Sequence, residues 1–131
     1  MRRVLFPAIP SDTLTMTAPA LSGISALKAI YGVGGDVGDY ADNDEPDHKT
    51  AVVGVSVSAA SAGQSFDVRT AGTITDASFN FDLTKPVFLG KTGALTQDLE
   101  QATGVFLLVI GFPASEDTLV VRPLSSVTIA A

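Results

Sequence analysis

From Thr50 onward, apolar and polar residues alternate along the chain with the period of two that a β-strand requires. TAVVGVSVS (50–58) predicts a half-buried strand, with Val53, Val55 and Val57 on one face and Gly54, Ser56 and Ser58 on the other. ASAGQ (60–64) is a small-residue turn. SFDVRTAGTIT (65–75) then sets Phe66 and Val68 against Asp67 and Arg69, so the two runs form an antiparallel hairpin. PVFLG (86–90) is a short strand with Pro86 at its start, where a missing N–H does least harm to a sheet. KTG (91–93) turns the chain, with Gly90 and Gly93 able to take positive φ without strain, and ALTQ continues the strand. DLEQATG (98–104) is a polar loop or a single helical turn. VFLLVIGFP, DTLVVRP and SVTIA close the chain as three strands, with turns at ASED and PLS.

Upstream the pattern is weaker. ALKAIYGV (26–33) fits helix or strand, and Ile30, Tyr31 and Val33 favour the strand. Pro7, Pro10 and Pro19 exclude a regular helix from residues 1–20, while TLTMT (13–17) keeps the strand period. The expected architecture is all-β, a small barrel or sandwich of about 8–10 short strands. It comprises an extended N-terminal arm over residues 1–20 and a single β domain over 21–131. No internal repeat or low-complexity tract interrupts it.

Composition sharpens this. A chain of 131 residues is long enough for one well-packed domain. Without cysteine, neither disulfides nor thiolate metal sites are available. Apolar residues reach 46% and mean hydropathy +0.35, while charged residues are 17%, below the roughly 25% usual for globular domains. Either copies or a larger partner cover part of the surface, or that surface is mostly Ser, Thr, Gly and Ala. The first reading is preferred. The net charge of −6, with Lys and Arg scattered from Arg2 to Arg122, argues against nucleic acid. Pro7 and Pro10 cut the RRVLF start too short for a signal peptide, and Gly111 breaks the longest apolar run, VFLLVIGF (105–112). A soluble, unprocessed chain with no membrane partner is the expectation.

Candidate chemistry concentrates in DNDEPDHK (42–49), which holds four carboxylates and the only histidine. As an EF-hand loop, Asp42 and Asp44 fit the first two ligand positions. Pro46 then falls on the third, Asp47 stands where glycine is needed, and Val53 stands where the closing glutamate belongs. A looser site from Asp42, Asp44, Glu45 and Asp47 stays conceivable, but a solvated Asx and proline turn is the default. GKT (90–92) is the tail of a P-loop, yet Lys85 occupies the position of its first glycine, so hairpin chemistry is the better account. GVGGDVG (32–38) lacks the spacing of a dinucleotide fingerprint, and no G-x-S-x-G occurs. His48 beside acidic residues reads as a surface residue and not a general base. No catalytic residue, metal or cofactor is expected, and the chain is expected not to be an enzyme.

Three pieces of the chain carry a resemblance: YADNDEPDHKTAVVGVSVSAASAGQSFDVRTAGTIT, KPVFLGKTGALTQ and VFLLVIGFPASEDTLVVRP. Their order over residues 40–130 resembles a family of phage virion proteins, the small β-rich head-decoration or fibre-type domains. In that family an acidic turn with P-x-H precedes a VVG strand, a GALTQ hairpin follows, and a TL-x-V-x-P strand closes. The resemblance implies a structural role without catalytic residues, in a β-rich multimer. The absence of a fibrous repeat favours a compact capsid decoration, or cement, protein on the outer surface of the virion head. The alternative is a tail-fibre or baseplate module that binds the host.

The expected partners are further copies in a homotrimer and the major capsid protein. Arg2, Arg3, Leu5, Phe6 and Ile9 are the expected capsid-anchoring arm, so that deleting residues 2–17 would remove capsid binding and leave the fold intact. Phe106, Leu108 and Ile110 are candidates for the subunit interface, or else ordinary core.

Overall fold

The computed structural model describes residues 13–34, 37–124 and 126–128. They form eleven strands, one short α-helix and one 3₁₀ turn. The strands are β1 Leu14–Pro19, β2 Ala29–Gly34, β3 Val37–Tyr40, β4 Val52–Ser56, β5 Ser65–Thr75 and β6 Val87–Leu89. β7 Leu95–Thr96, β8 Phe106–Leu107, β9 Val109–Ser115, β10 Thr118–Val121 and β11 Val127–Thr128 complete them, with α1 at Leu99–Ala102. Among the described residues all strand-to-strand pairing is antiparallel, and the sheet does not close into a barrel.

β5 organises the molecule because two half-sheets share it. Its first part pairs with β1 (Ala18↔Phe66) and with β4 (Val55↔Arg69), extending through β2 to β3. Its last part pairs with β10 (Val121↔Gly72 to Thr118↔Thr75), extending through β9 and β6 to β7. The transfer happens at Gly72, whose φ of +109° disfavours a residue with a side chain. A Cβ there would also stand 2.7 Å from Thr13 Oγ1 and 2.9 Å from Thr13 Cα. The result is sandwich-like. A larger core lies around Val55, Ile74, Leu89, Phe106, Ile110 and Leu119. A smaller one lies around Ala18, Ile24, Ile30, Phe66 and Val68.

The half-buried hairpin strand expected over 50–58 is buried on both faces instead. A register shift beside Val53 breaks the alternation: Tyr31 faces Val52 while Ile30 faces Gly54. Val55 therefore enters the larger core while Val53 packs on the smaller one, and Ser56 is 0% exposed. Burial of Ser56 is tolerable because its hydroxyl donates to Ser25 O (2.7 Å) and accepts from Lys28 N–H (3.1 Å).

Two further expectations change in detail. Positive φ in the KTG turn falls on Thr92 (49°) and Gly93 (78°), not on Gly90. VFLLVIGFP splits between β8, which pairs with β11, and β9, which joins the main sheet.

Of the arm expected over 1–20, residues 1–12 lie outside the described part. Leu14–Pro19 are extended as expected, but they are a paired strand of the sheet. Deleting residues 2–17 would remove most of β1 and uncover β5. A truncation meant to leave the fold intact has to stop at residue 12.

Candidate functional site

The acidic loop is built in two layers. Locally, Asp42 Oδ1 accepts from Asp44 N–H (2.9 Å), an Asx turn, and Pro46 opens the 3₁₀ turn Pro46–His48. The turn brings His48 back so that its Nδ1 accepts from Asp42 N–H at 3.0 Å. An accepting Nδ1 places the imidazole proton on Nε2. The ring also stacks on Tyr31 of β2, centroid to centroid 3.7 Å.

The second layer reaches across the chain. Asp42 Oδ2 accepts from Thr92 N–H (3.2 Å), which holds the left-handed Thr92 in place. Asn43 is 0% exposed, and its amide donates to Leu89 O (3.0 Å), Gln101 O (3.0 Å) and Ala102 O (2.9 Å). Its Oδ1 accepts from Lys91 Nζ (2.8 Å), and its carbonyl accepts from Val105 N–H (2.9 Å). Lys91 Nζ also pairs with Asp44 Oδ2 at 2.8 Å. Gly104 completes the seat, since a Cβ there would strike the Asn43 carbonyl.

This arrangement holds strands together. Both Asp42 oxygens and the Nδ1 of His48 are engaged, and Asp44 is paired with Lys91. Among the described residues no three His, Asp or Glu side chains gather as a metal would need. The solvated turn expected here is half right. Asp44, Glu45, Pro46 and Asp47 are exposed, while Asn43 is a buried keystone that sequence reasoning missed. An asparagine inside an acidic run carries no local signal of burial.

Arg2, Arg3, Leu5, Phe6 and Ile9 lie outside the described residues. Phe106, Leu108 and Ile110 are 1%, 3% and 0% exposed within the chain's own larger core. A second copy would reach them only by unpacking that core.

Among the described residues three surface grooves stand out. One, of about 420 Å³, lies among Lys49, Thr50, Val52, Leu108, Pro123, Leu124 and Ser126. Another, of about 340 Å³, lies beside Lys28, Leu27, Phe79 and Phe81. The largest, of about 520 Å³, is lined by Asp82, Lys85, Pro86, Phe88, Gln97, Asp98 and Leu99. Gln97 shapes it, donating to Asp82 O (2.7 Å) and Lys85 O (2.8 Å) and accepting from Asp82 N–H (2.9 Å). The Thr84 hydroxyl and N–H, both donating to Asp82, hold that carboxyl below its usual range. Leu99, in its lining, is 58% exposed, and Leu83, next to Asp82 in the chain, is 56% exposed. Sequence reasoning did not single out this groove, because its residues come from two separate segments, 82–88 and 97–99.

No family model matches the chain, and no curated protein matches it. Among solved structures, it is similar to one described as the head fiber gp8.5 N base in bacteriophage phi29. Identity is 23%, the match covers 85% of this chain and 95% of that one, and the TM-score is 0.48. That description is of the phi29 protein and carries no argument for this chain. No partner, activity or place in a particle passes to this chain from a match at that level.

Proposed function

We propose that this chain is a structural protein of a phage virion, a head-decoration protein that binds the major capsid protein as a homotrimer. Its work is added interface: each copy bound to the assembled shell, and not to free subunits, stabilises the shell by mass action without chemistry. The observation that carries the reading is the resemblance over residues 40–130, whose quoted pieces meet in space. YADND and LGKTG join through Asp42–Thr92, Asn43–Leu89 and Lys91–Asp44. The resemblance thus falls on residues that define a scaffold, and the groups that suggested catalysis hold that scaffold together. The role is structural and not enzymatic.

The arm Arg2, Arg3, Leu5, Phe6 and Ile9 is the capsid anchor in this reading. The test is addition of purified chain to heads that lack it, with electron microscopy and a heat-release assay of packaged DNA. Regular density on the head exterior and a raised release temperature are expected. Density at the tail, or no binding at saturating concentration, would overturn the reading. Native mass measurement of the free protein checks the trimer.

A further inference from the structure

We propose that His48 is an acid-sensitive latch: a neutral imidazole holds the 42–48 loop against the turn at residues 90–93, and a charged one releases it. Histidine is the side chain whose ordinary titration falls between about pH 5 and 8, and this chain has one, with no cysteine. The Nδ1 of that ring has a role that depends on its charge. It accepts from Asp42 N–H at 3.0 Å, which needs a lone pair. The imidazolium has none to offer, since both ring nitrogens then carry a hydrogen. A charged ring left in place would set one N–H against another. A half-turn of the ring keeps its stack on Tyr31, at 3.7 Å and 22° between planes, but brings Cδ2–H where Nδ1 stood. That movement does not restore the bond.

The bond in question belongs to the residue that ties the loop to the turn. Asp42 Oδ1 accepts from Asp44 N–H, and its Oδ2 accepts from the N–H of Thr92, the residue at positive φ. On either side, Gly93 N–H donates to Ala41 O, and Asn43 N–H donates to Gly90 O at 3.3 Å. A shift of the Asp42 backbone is therefore passed to residues 90–93. The charged and titratable neighbours come from four places. The loop itself supplies Asp42, Asp44, Glu45, Asp47 and Lys49, and β2 supplies the Tyr31 phenol. From β3 comes Asp39, the register partner of Tyr31, whose Oδ1 accepts from the Ser22 hydroxyl and Tyr40 N–H. From the turn comes Lys91, paired with Asp44. The loop carboxylates give a charged ring, a donor at both nitrogens, acceptors to turn to once the Asp42 bond is lost. The latch lies within the chain's own loop and stands whether or not the chain decorates a capsid, so the failure of one leaves the other intact.

The test is NMR of the full chain, isotope-labelled at the histidine ring and the amides, from about pH 7.5 down to about pH 5. That lower limit stays above the ordinary range of carboxyl groups. At the upper end the ring nitrogen shifts should report the hydrogen on Nε2 and the lone pair on Nδ1. As the ring charges, protection of the Asp42 and Thr92 amides, relative to the intrinsic exchange rate at each pH, should fall about threefold or more. The fall should follow the ring's own titration curve, and Val68 in β5 should change less than Thr92. His48→Phe keeps a ring for Tyr31 and has no Nδ1, so its Asp42 and Thr92 protection should be low and independent of pH. A ring hydrogen found on Nδ1 at the upper end would overturn the proposal. So would equal protection at both ends of the range in the parent. A pH-dependent loss that persists in His48→Phe would assign the effect to other groups and overturn it too.

Discussion

Among the described residues, four aspartates make the same local bond. Asp42, Asp76, Asp82 and Asp98 each accept, through Oδ1, from the N–H two residues further on. At Asp76, Asp82 and Asp98 the motif stays local, a turn or helix cap facing solvent. At Asp42 the other oxygen reaches Thr92, and the next residue, Asn43, is driven into the interior against Leu89, Gln101 and Ala102. Equal local chemistry therefore gives a surface turn in one region and a keystone in another. What separates them is a partner some fifty residues away.

Substitutions test that contrast most strongly at Asn43. Asn43→Ala leaves the Leu89, Gln101 and Ala102 carbonyls without their amide donor, and should cost about 3 kcal/mol in urea unfolding. A loss below about 1 kcal/mol would show that the loop is not a keystone. Asp42→Ala, half exposed, should cost about 1–2 kcal/mol and loosen the 91–93 turn, seen as faster amide exchange at Thr92. Lys91→Met removes an ion pair whose side chains are 49% and 53% exposed together with the hydrogen bond to Asn43 Oδ1, and should cost about 1 kcal/mol.

The smallest effect belongs to the local turns. Hydrogen bonds from Ser78 hold Asp76, and those from Thr84 hold Asp82, below the ordinary carboxyl value of 3.8. A depressed folded value gives stability that is present above the ordinary value and lost as pH falls through the lowered one. Thermal melts from about pH 5 down to about pH 2 should therefore decline slightly less in Asp76→Asn/Asp82→Asn than in the parent. An identical decline would remove these turns from the acid response.

Most strands were legible, because alternation is a local property and β4, β5 and β9 alternate over several residues. The failures share a cause. Val53 leaves its expected face because of pairing with β2, which no inspection of 50–58 contains. Of Gly90 and Gly93, the two residues expected to allow positive φ, Gly93 takes it, and Thr92, held by Asp42, takes it in place of Gly90. The candidate site divides the same way. The run 42–48 was legible as a turn without a metal template, whereas the burial of Asn43 depends on residues 89–105. The groove at Asp82, Gln97 and Leu99 had no sequence signature, since exposure of a leucine is decided by what fails to pack on it. Phe106, Leu108 and Ile110 alternate as core residues do, and the pattern alone could not say whose core.

The long separation behind Asn43 has a consequence in time. Its partner Ala102 is made 59 residues later. At roughly 5–20 residues per second, a ribosome needs about 3 to 12 s to cover that distance. For most of that interval β2, β3 and β4 have been synthesised but the loop between β3 and β4 lacks its lock. The nascent N-terminal half therefore passes through a period when its strand edges are open to neighbouring chains. Slower translation after residue 50 would lengthen that period without altering the finished protein.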